Sequence, residues 1–426
     1  MRYRTRTISA RQGERGIVVL LVAVVLLFIV AAIAALAIDL VTFYAARGQA
    51  QLAADSAALA GARALANSGT TSNPSDSGLF SSAQTLAQNF ATQVAISNVV
   101  GGRNLTVAEV VVTPPAAAGS NLHISVRVTR TDLPTFFARI WGRNTATVSV
   151  SATAEAYNPS GLNASLGQAP PVAPTCVKPW ILPNKDPRNG NAIFDVNSGQ
   201  IQDSTLLGWQ DSGNTFFAVC TSCVSPFPGP TTWRYYPLAN DPVNYPAPSQ
   251  GLADCNVALT NDYEKSIAGC VSTPINCNSD VNIDTLPHNA RNSDTARAVN
   301  CLTNSVNNKG DTVDEHPPTQ SFQFLAGDDN PIIGARNQDV LVSDSLVTVP
   351  IFDSPTTGNV TNPVRTIGFV QLFLNWDGTA APVFGPTRGH IKTSVVNMIG
   401  CGRNATGQPI IGNGASAVPV RLITPP

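Results

Sequence analysis

The chain has 426 residues, a formal net charge of −1 and 12% charged residues, against about 25% in an ordinary soluble domain. Five arginines crowd the first fifteen positions and no basic stripe follows, so nucleic-acid binding has no electrostatic footprint to rest on. The length allows about two or three domains.

Residues 1–15 form a basic tail in which Arg2, Arg4, Arg6, Arg11 and Arg15 are opposed only by Glu14. Ile17–Ile38 follow, 22 consecutive residues with no charge and no strong polar group. As a helix rising ~1.5 Å per residue, this run spans about 33 Å, enough for the hydrocarbon core of a bilayer. The expectation is a transmembrane helix over 16–40, with the tail in the cytoplasm and the bulk of the chain outside. A secretory signal competes, because Ala35-Leu36-Ala37 resembles a cleavage site. Signal sequences carry an apolar region of only about 7–15 residues, which favours a retained anchor.

Val41–Ala66 is Ala-rich and free of proline, so the spanning helix is expected to continue outward. Leu52 and Leu59 stand seven apart on one face with Asp55 between them. That carboxylate either sets register against another subunit or a sheet, or is a solvated edge residue. Asp39 is either a membrane-border residue or a polar handle for another envelope protein. After a Ser/Gly/Asn-rich break at Asn67–Ser77, Leu86, Phe90 and Val94 predict an amphipathic helix over Ser81–Val94. Strands are predicted at Leu105–Val112, around Leu122–Val128 and at Thr145–Ala156, with Leu133–Trp141 a short aromatic turn or helix. In the second strand His123 points away from the apolar face. Two helices and an antiparallel sheet make 41–156 a small α+β domain.

A Gly/Pro/Asn/Ser linker is placed at 157–175. Beyond it, 176–426 reads as a β-rich, disulfide-containing extracytoplasmic domain. Its clearest strands are Val340–Ile351 and Thr366–Trp376, the latter apolar on both faces as a central, covered strand would be. Ile391–Met398 and Val418–Ile423 are shorter candidates. All eight cysteines (Cys176, Cys220, Cys223, Cys255, Cys270, Cys277, Cys301 and Cys401) lie beyond the apolar run. An even count in an exported region reads as disulfides, with 105 possible connectivities. The polar Cys255–Cys301 stretch is then an insertion of loops stapled by these bonds. Cys220-Thr-Ser-Cys223 leaves redox chemistry open, yet it runs into Ser225-Pro-Phe-Pro-Gly-Pro rather than a helix. No second close cysteine pair or histidine pair completes a zinc site.

The hydrolase motif Gly-x-Ser-x-Gly, His-Glu-x-x-His and the P-loop are absent. His288, His316 and His390, with Asp314, Glu315 and Asp353, would form a metal or acid–base site only through the fold. Asp328-Asp329-Asn330-Pro331 reads as a turn rather than a calcium loop, because alternating ligands and a terminal Glu do not follow. The aromatics Trp180, Trp209, Trp233, Tyr235, Tyr236 and Trp376 serve either a glycan or partner surface or, more ordinarily, a core. No cofactor is expected.

One ordered pattern remains: Ile38-Asp39, Tyr44, Arg47–Gln49, Ala53–Ala60, then Phe136-Phe137-Ala138-Arg139 and Val148–Ala156. It resembles the N-terminal region of the TadE/TadG-like proteins of the bacterial Flp (Tad) pilus system, over residues 15–156. Two departures stand out. Counting from Gly16, the fifth residue is Leu21 where a prepilin-peptidase substrate has Glu, and the Asp-x-Ser-x-Ser metal motif of some longer TadG-like proteins is missing. The resemblance implies a pilin-like helix-plus-sheet domain on a single-pass anchor in the bacterial inner (cytoplasmic) membrane. It implies a scaffold or docking role in pilus assembly rather than an enzyme. The implied partners are the pilus machinery or minor pilins, with self-association through the N-terminal helix as a further route. Asp39, Arg47, Asp55 and Leu59 are the docking candidates. The rival readings are a surface adhesin or binding module and, behind it, an extracytoplasmic hydrolase or redox enzyme.

Overall fold

The fold was obtained as a computed structural model. It describes residues 12–118, 121–160, 171–209, 218–219, 233–238, 258–269, 273–284, 289–303, 310–314, 321–328, 330–354, 360–379, 383–384, 390–403, 408–412 and 414–423. The expected outward continuation of the first helix is present: α1 is a single helix, Gln12–Asn67, of 56 residues. Its apolar run is exposed along almost its whole length and is long enough to cross a membrane.

From the fiftieth residue α1 changes character. Ala50, Ala53, Ala54, Ala57, Ala58, Ala62 and Leu65 are fully buried and recur on one face at helical spacing. Small side chains let the backbone approach its neighbours closely. At Gly61 an added Cβ would lie 2.6 Å from Ile124 Cδ1 and 3.2 Å from both the Ala87 carbonyl and Ala91 Cβ. The second helix, α2 (Ser77–Ser97), starts a turn earlier than expected because Asp76 caps it, accepting from the Leu79 N–H at 3.0 Å.

The sheet under α1 contains β1 (Val110–Thr113), β2 (Asn121–Pro134) and β3 (Thr145–Tyr157), antiparallel throughout. Leu122, Ile124, Val126 and Val128 are buried toward the helices, whereas His123 is on the outer face. The first predicted strand is shorter than expected. Thr106 and Glu109 form a capping box that winds Val107–Glu109 into a 3-10 turn before β1 begins.

The second region is built on β4 (Trp180–Pro183), β5 (Arg234–Pro237), β6 (Leu346–Phe352), β7 (Val364–Leu374) and β8 (Thr393–Gly400). The order is β8-β7-β6-β4-β5, with Ala218–Val219 beyond β5. The β6–β4 pair is parallel. As its double-sided apolar pattern suggested, β7 is covered on both faces and flanked on both edges. The predicted strand at 340–351 is broken: a turn at Ser343 closes with the Leu346 N–H on the Ser343 carbonyl, and Asp339–Val340 pairs elsewhere. The Cys255–Cys301 stretch also differs from the loops expected, since it contains α3 (Asp262–Ala268) and α4 (Asn289–Leu302). Tyr263, Ile267, Ala298, Val299 and Leu302 join Trp180 and Trp233 in one large apolar cluster. Glu264 on α3 is tied to Arg297 on α4 at 2.9 Å.

Cys277 and Cys401 form a disulfide across 124 residues of sequence. Cys176 and Cys301 are also disulfide-bonded, while Cys220, Cys223, Cys255 and Cys270 lie outside the described residues.

The last strand, β9 (Val420–Ile423), does not join the second sheet. It pairs antiparallel with β3, from Val420 opposite Ala156 to Ile423 opposite Thr153, giving the first sheet the order β9-β3-β2-β1. A buried polar hub ties the regions a second time. The Asn397 amide donates to the Gln371 amide oxygen at 3.0 Å and to the carbonyl of Ala66 at the end of α1. The Ser72 hydroxyl accepts from the Met398 N–H at 2.9 Å, and Asn158 Nδ2 donates to the Met398 carbonyl at 3.0 Å. Residues 176–426 therefore supply both a strand and a polar lock to the N-terminal sheet.

The close approach at Gly61 gives a direct test. Gly61→Leu is expected to cost about 1–3 kcal/mol through overpacking. Gly48→Ala, on a face where an added Cβ meets nothing within 4 Å, should be neutral or stabilising by up to about 1 kcal/mol from helix propensity. Thermal unfolding of both variants in detergent, followed by circular dichroism, checks the contrast.

Candidate functional site

The most organised polar contact outside the hub lies where the apolar run ends. Asp39 is the first charged residue after that run and is buried at 3% exposure. Its carboxylate accepts three backbone N–H groups from a turn almost a hundred residues away. Phe136 donates to Oδ1 at 2.9 Å, Phe137 to Oδ2 at 3.1 Å and Ala138 to Oδ2 at 2.7 Å. These groups lead into the 3-10 helix Ala138–Trp141, whose first N–H groups have no partner within the turn. Two separate parts of the ordered pattern, Asp39 and Phe136–Ala138, are therefore one contact. The carboxylate is satisfied by its own chain, so Asp39 acts as a latch between α1 and the β2–β3 connection.

The other three candidates occupy different surroundings. Arg47 is exposed. Asp55 is half-buried and accepts from Gln51 Nε2 at 2.7 Å on its own helix, while Gln51 also reaches the Ser151 carbonyl on β3 at 3.4 Å. Leu59 is partly buried at the edge of the alanine-lined core. Leu52, expected to share the face of Leu59, is instead 68% exposed. With Tyr44 and Gly48 it forms a bare strip on the outer side of α1, at i, i+4 and i+8.

Beside this strip is a groove of about 270 Å³ lined by Thr42, Phe43, Ala46 and Gln49 of α1, the Gly101–Gly102 turn, and Leu133, Pro134 and Phe136. Sequence reading missed it, because its walls are far apart in the chain. The Gly-Gly pair was the available signal. Both glycines have positive φ, and an added Cβ at Gly101 would meet Leu133 Cδ2 at 2.3 Å. Gln49 Oε1 accepts the Gly101 N–H at 2.8 Å. A charge cluster fixes the same turn: Arg103 pairs with Glu109 at 2.6 Å and with Asp132 at 2.9 Å, and Asp132 also takes Arg130 at 2.7 Å. Hydrogen bonds from Arg103, joined by those from Thr106, pull the Glu109 carboxyl down to about 2 against a desolvation cost.

Elsewhere the polar candidates are engaged structurally. Trp180, Trp233, Tyr235 and Tyr236 are core residues, with Trp180 Nε1 donating to Tyr263 Oη at 3.0 Å. His123 lies 3.1 Å from Glu155, and Asp353 pairs with Arg365 at 2.7 Å. Asp328 pairs with Arg336 at 2.8 Å, and Asn330 caps the turn at Ile332. His288, Glu315 and His316 lie outside the described residues, among which no group of three His, Cys, Asp or Glu side chains is placed to hold a metal.

Two measurements follow from this geometry. Asp39→Ala should speed hydrogen exchange of the 133–143 segment in detergent micelles by tenfold or more, since bonds to a charged acceptor contribute ~1.5–3 kcal/mol each. For Glu109, the folded value lies below the ordinary 4.5, so its ionised form stabilises the fold above that pH. The melting-temperature advantage of the wild type over Glu109→Gln should be full at neutral pH. It should shrink as pH falls from about 4.5 toward 2.

No curated protein and no solved structure matches the chain. One family does: residues 16–64, the stretch that runs from the start of the apolar segment through Asp39 and most of the alanine face, match the family described as "Putative Flp pilus-assembly TadE/G-like", so the N-terminal region carries a TadE/G-like segment.

Proposed function

We propose that this protein is a membrane-anchored structural component of Flp/Tad-type pilus assembly, with a scaffold or docking role in the cell envelope. The TadE/G-like match of residues 16–64 suggests involvement in pilus assembly. The observation that carries the docking role is the division of α1 into three surfaces. Residues 17–38 are apolar and, but for Ala35, exposed, as an anchor requires; the alanine face is consumed by the protein's own core. The strip of Tyr44, Gly48 and Leu52, with Arg47 beside it, is left bare at the level where a partner helix would stand. A small residue between two larger ones permits close helix approach, which suits either a minor pilin helix or a second copy of α1. On this reading the anchor is retained in the inner membrane with the bulk of the chain extracytoplasmic. Asp55 and Leu59 support the helix from within, and Arg47 is the candidate still free to meet a partner.

The test is to delete the gene and count Flp-type pili per cell by electron microscopy, with the intact chain restored as control. Pili should be lost and recovered. Restoring the Leu52→Asp variant instead should keep the protein in the membrane fraction while leaving pilus numbers at least several-fold down. Normal numbers in the deletion strain would overturn the proposal.

A further inference from the structure

We infer that the connection between β2 and β3, residues 133–143, is a membrane-seating element that rests in the lipid interface beside the anchor. The proposal depends on residues 17–38 being a membrane anchor, and the experiment reads the anchor and the seat at separate positions, so that failure of the seat is distinguishable from failure of the anchor.

Depth is the first argument. The Asp39 latch pins the backbone of Phe136–Ala138 within 3.3 Å of a carboxylate that directly follows the apolar run. The cover on this side of α1 extends further still. Ala35, one turn deeper, is 7% exposed, whereas Ala31, Ala32, Ala34 and Ala37 around it are exposed. The fold therefore reaches alongside the helix to about 6 Å below Asp39, inside the apolar run, at 1.5 Å per residue.

Composition is the second. Residues 133–143 read Leu-Pro-Thr-Phe-Phe-Ala-Arg-Ile-Trp-Gly-Arg, three aromatics and an isoleucine interleaved with two arginines. Phe136 is 60% exposed at the point where the latch holds it. On the neighbouring turns of α1, Val41 is 67% and Tyr44 68% exposed. Tyr44 is the kind of amphipathic aromatic that the headgroup region accommodates, and the exposed Phe136 adds apolar surface beside it.

Charge is the third. Across 40–54 and 133–147 the only charged side chains are Arg47, Arg139 and Arg143, all exposed. The nearest acids are engaged within the fold, Asp39 by the three N–H groups, Asp132 by Arg103 and Arg130, and Asp55 by Gln51. Apart from Asp132, which is paired with Arg103 and Arg130, the exposed charges around this apolar, aromatic surface are cationic, which complements an anionic leaflet. The groove between Phe43, Leu133 and Phe136 opens on this same side and would receive an acyl chain or a glycerol backbone.

The experiment places p-benzoylphenylalanine at one position at a time in the full chain, reconstituted in nanodiscs of equal parts phosphatidylglycerol and phosphatidylcholine. After irradiation, adducts are identified by mass spectrometry. Position 28 reports the anchor, position 136 the seat, and position 111, on an exposed face of β1, the distal sheet. Lipid adducts are expected at 28 and 136 and not at 111. Arg139→Glu with Arg143→Glu should reduce the yield at 136 several-fold without changing that at 28. Adducts at 28 with none at 136 would overturn the seat while leaving the anchor intact. Cross-links from 136 to a second copy of the chain would overturn it in favour of a protein contact. Absence of lipid at 28 would remove the anchor, and the seat with it.

Discussion

The close packing of an alanine face is the constraint on which the N-terminal architecture depends. A helix that leaves a membrane and continues into a folded domain must change what it buries within a few turns. Here that change is made by side-chain size: large apolar residues stay outward through 17–38, and alanines turn inward from Ala50. Alanine contributes little hydrophobic area, so the stabilisation has to come from proximity. Helix and sheet approach until Gly61 leaves no room for a methyl group beside Ile124 and Ala91. Alanine is also the best helix former, which keeps α1 unbroken across the change of surroundings.

That closeness explains the far end of the helix. The final turn of α1 is buried, and its last carbonyls need partners that water cannot supply. The Ser68 hydroxyl serves the carbonyl of Leu65, and Asn397 from β8 serves that of Ala66. A side chain more than three hundred residues away thus caps the helix. The same Asn397 is held by Gln371 on β7, and the exit of β3 enters the hub through Asn158. Such a network is costly if partly satisfied and specifying if complete. With β9 closing the first sheet, it makes the relative placement of the two regions part of the fold rather than a linker property.

The sequence made some of this legible because the signals are local. Hydropathy and the lack of breakers marked α1, and strict alternation placed Leu122–Val128 and the outward His123. The double-sided apolar run of β7 announced a central strand. What escaped was set by long-range pairing or weak periodicity. Val418–Ile423 was recognisable as a strand, but nothing local says that its partner is β3, where Arg421 meets Glu155. Helix α4, rich in Asn, Arg and Asp, buries a face too narrow to stand out by pattern. The break before β6 was written in Ser343-Asp344-Ser345 but outweighed by the apolar residues around it. At the site, Asp39 was flagged as a charge beside an apolar run. Its partners were backbone N–H groups, which have no sequence signature.

Those N–H groups also explain why the residue at the end of the run is an aspartate. A lone carboxylate bordering hydrocarbon is expensive, and so are three unpaired amides at the start of a 3-10 turn in the same place. Each solves the other's problem. An asparagine would offer one acceptor oxygen where two are used, with Phe136 on Oδ1 and Phe137 and Ala138 on Oδ2. A glutamate would push the turn about one bond further from the helix. Because the turn belongs to the loop that joins β2 to β3, fixing it fixes the sheet's near edge relative to the anchor. Gln51, bonded to Asp55 and to the Ser151 carbonyl, repeats the attachment three turns higher. The sheet is therefore held upright on α1 at two heights, and the outer strip of Tyr44, Gly48 and Leu52 is kept facing away from it.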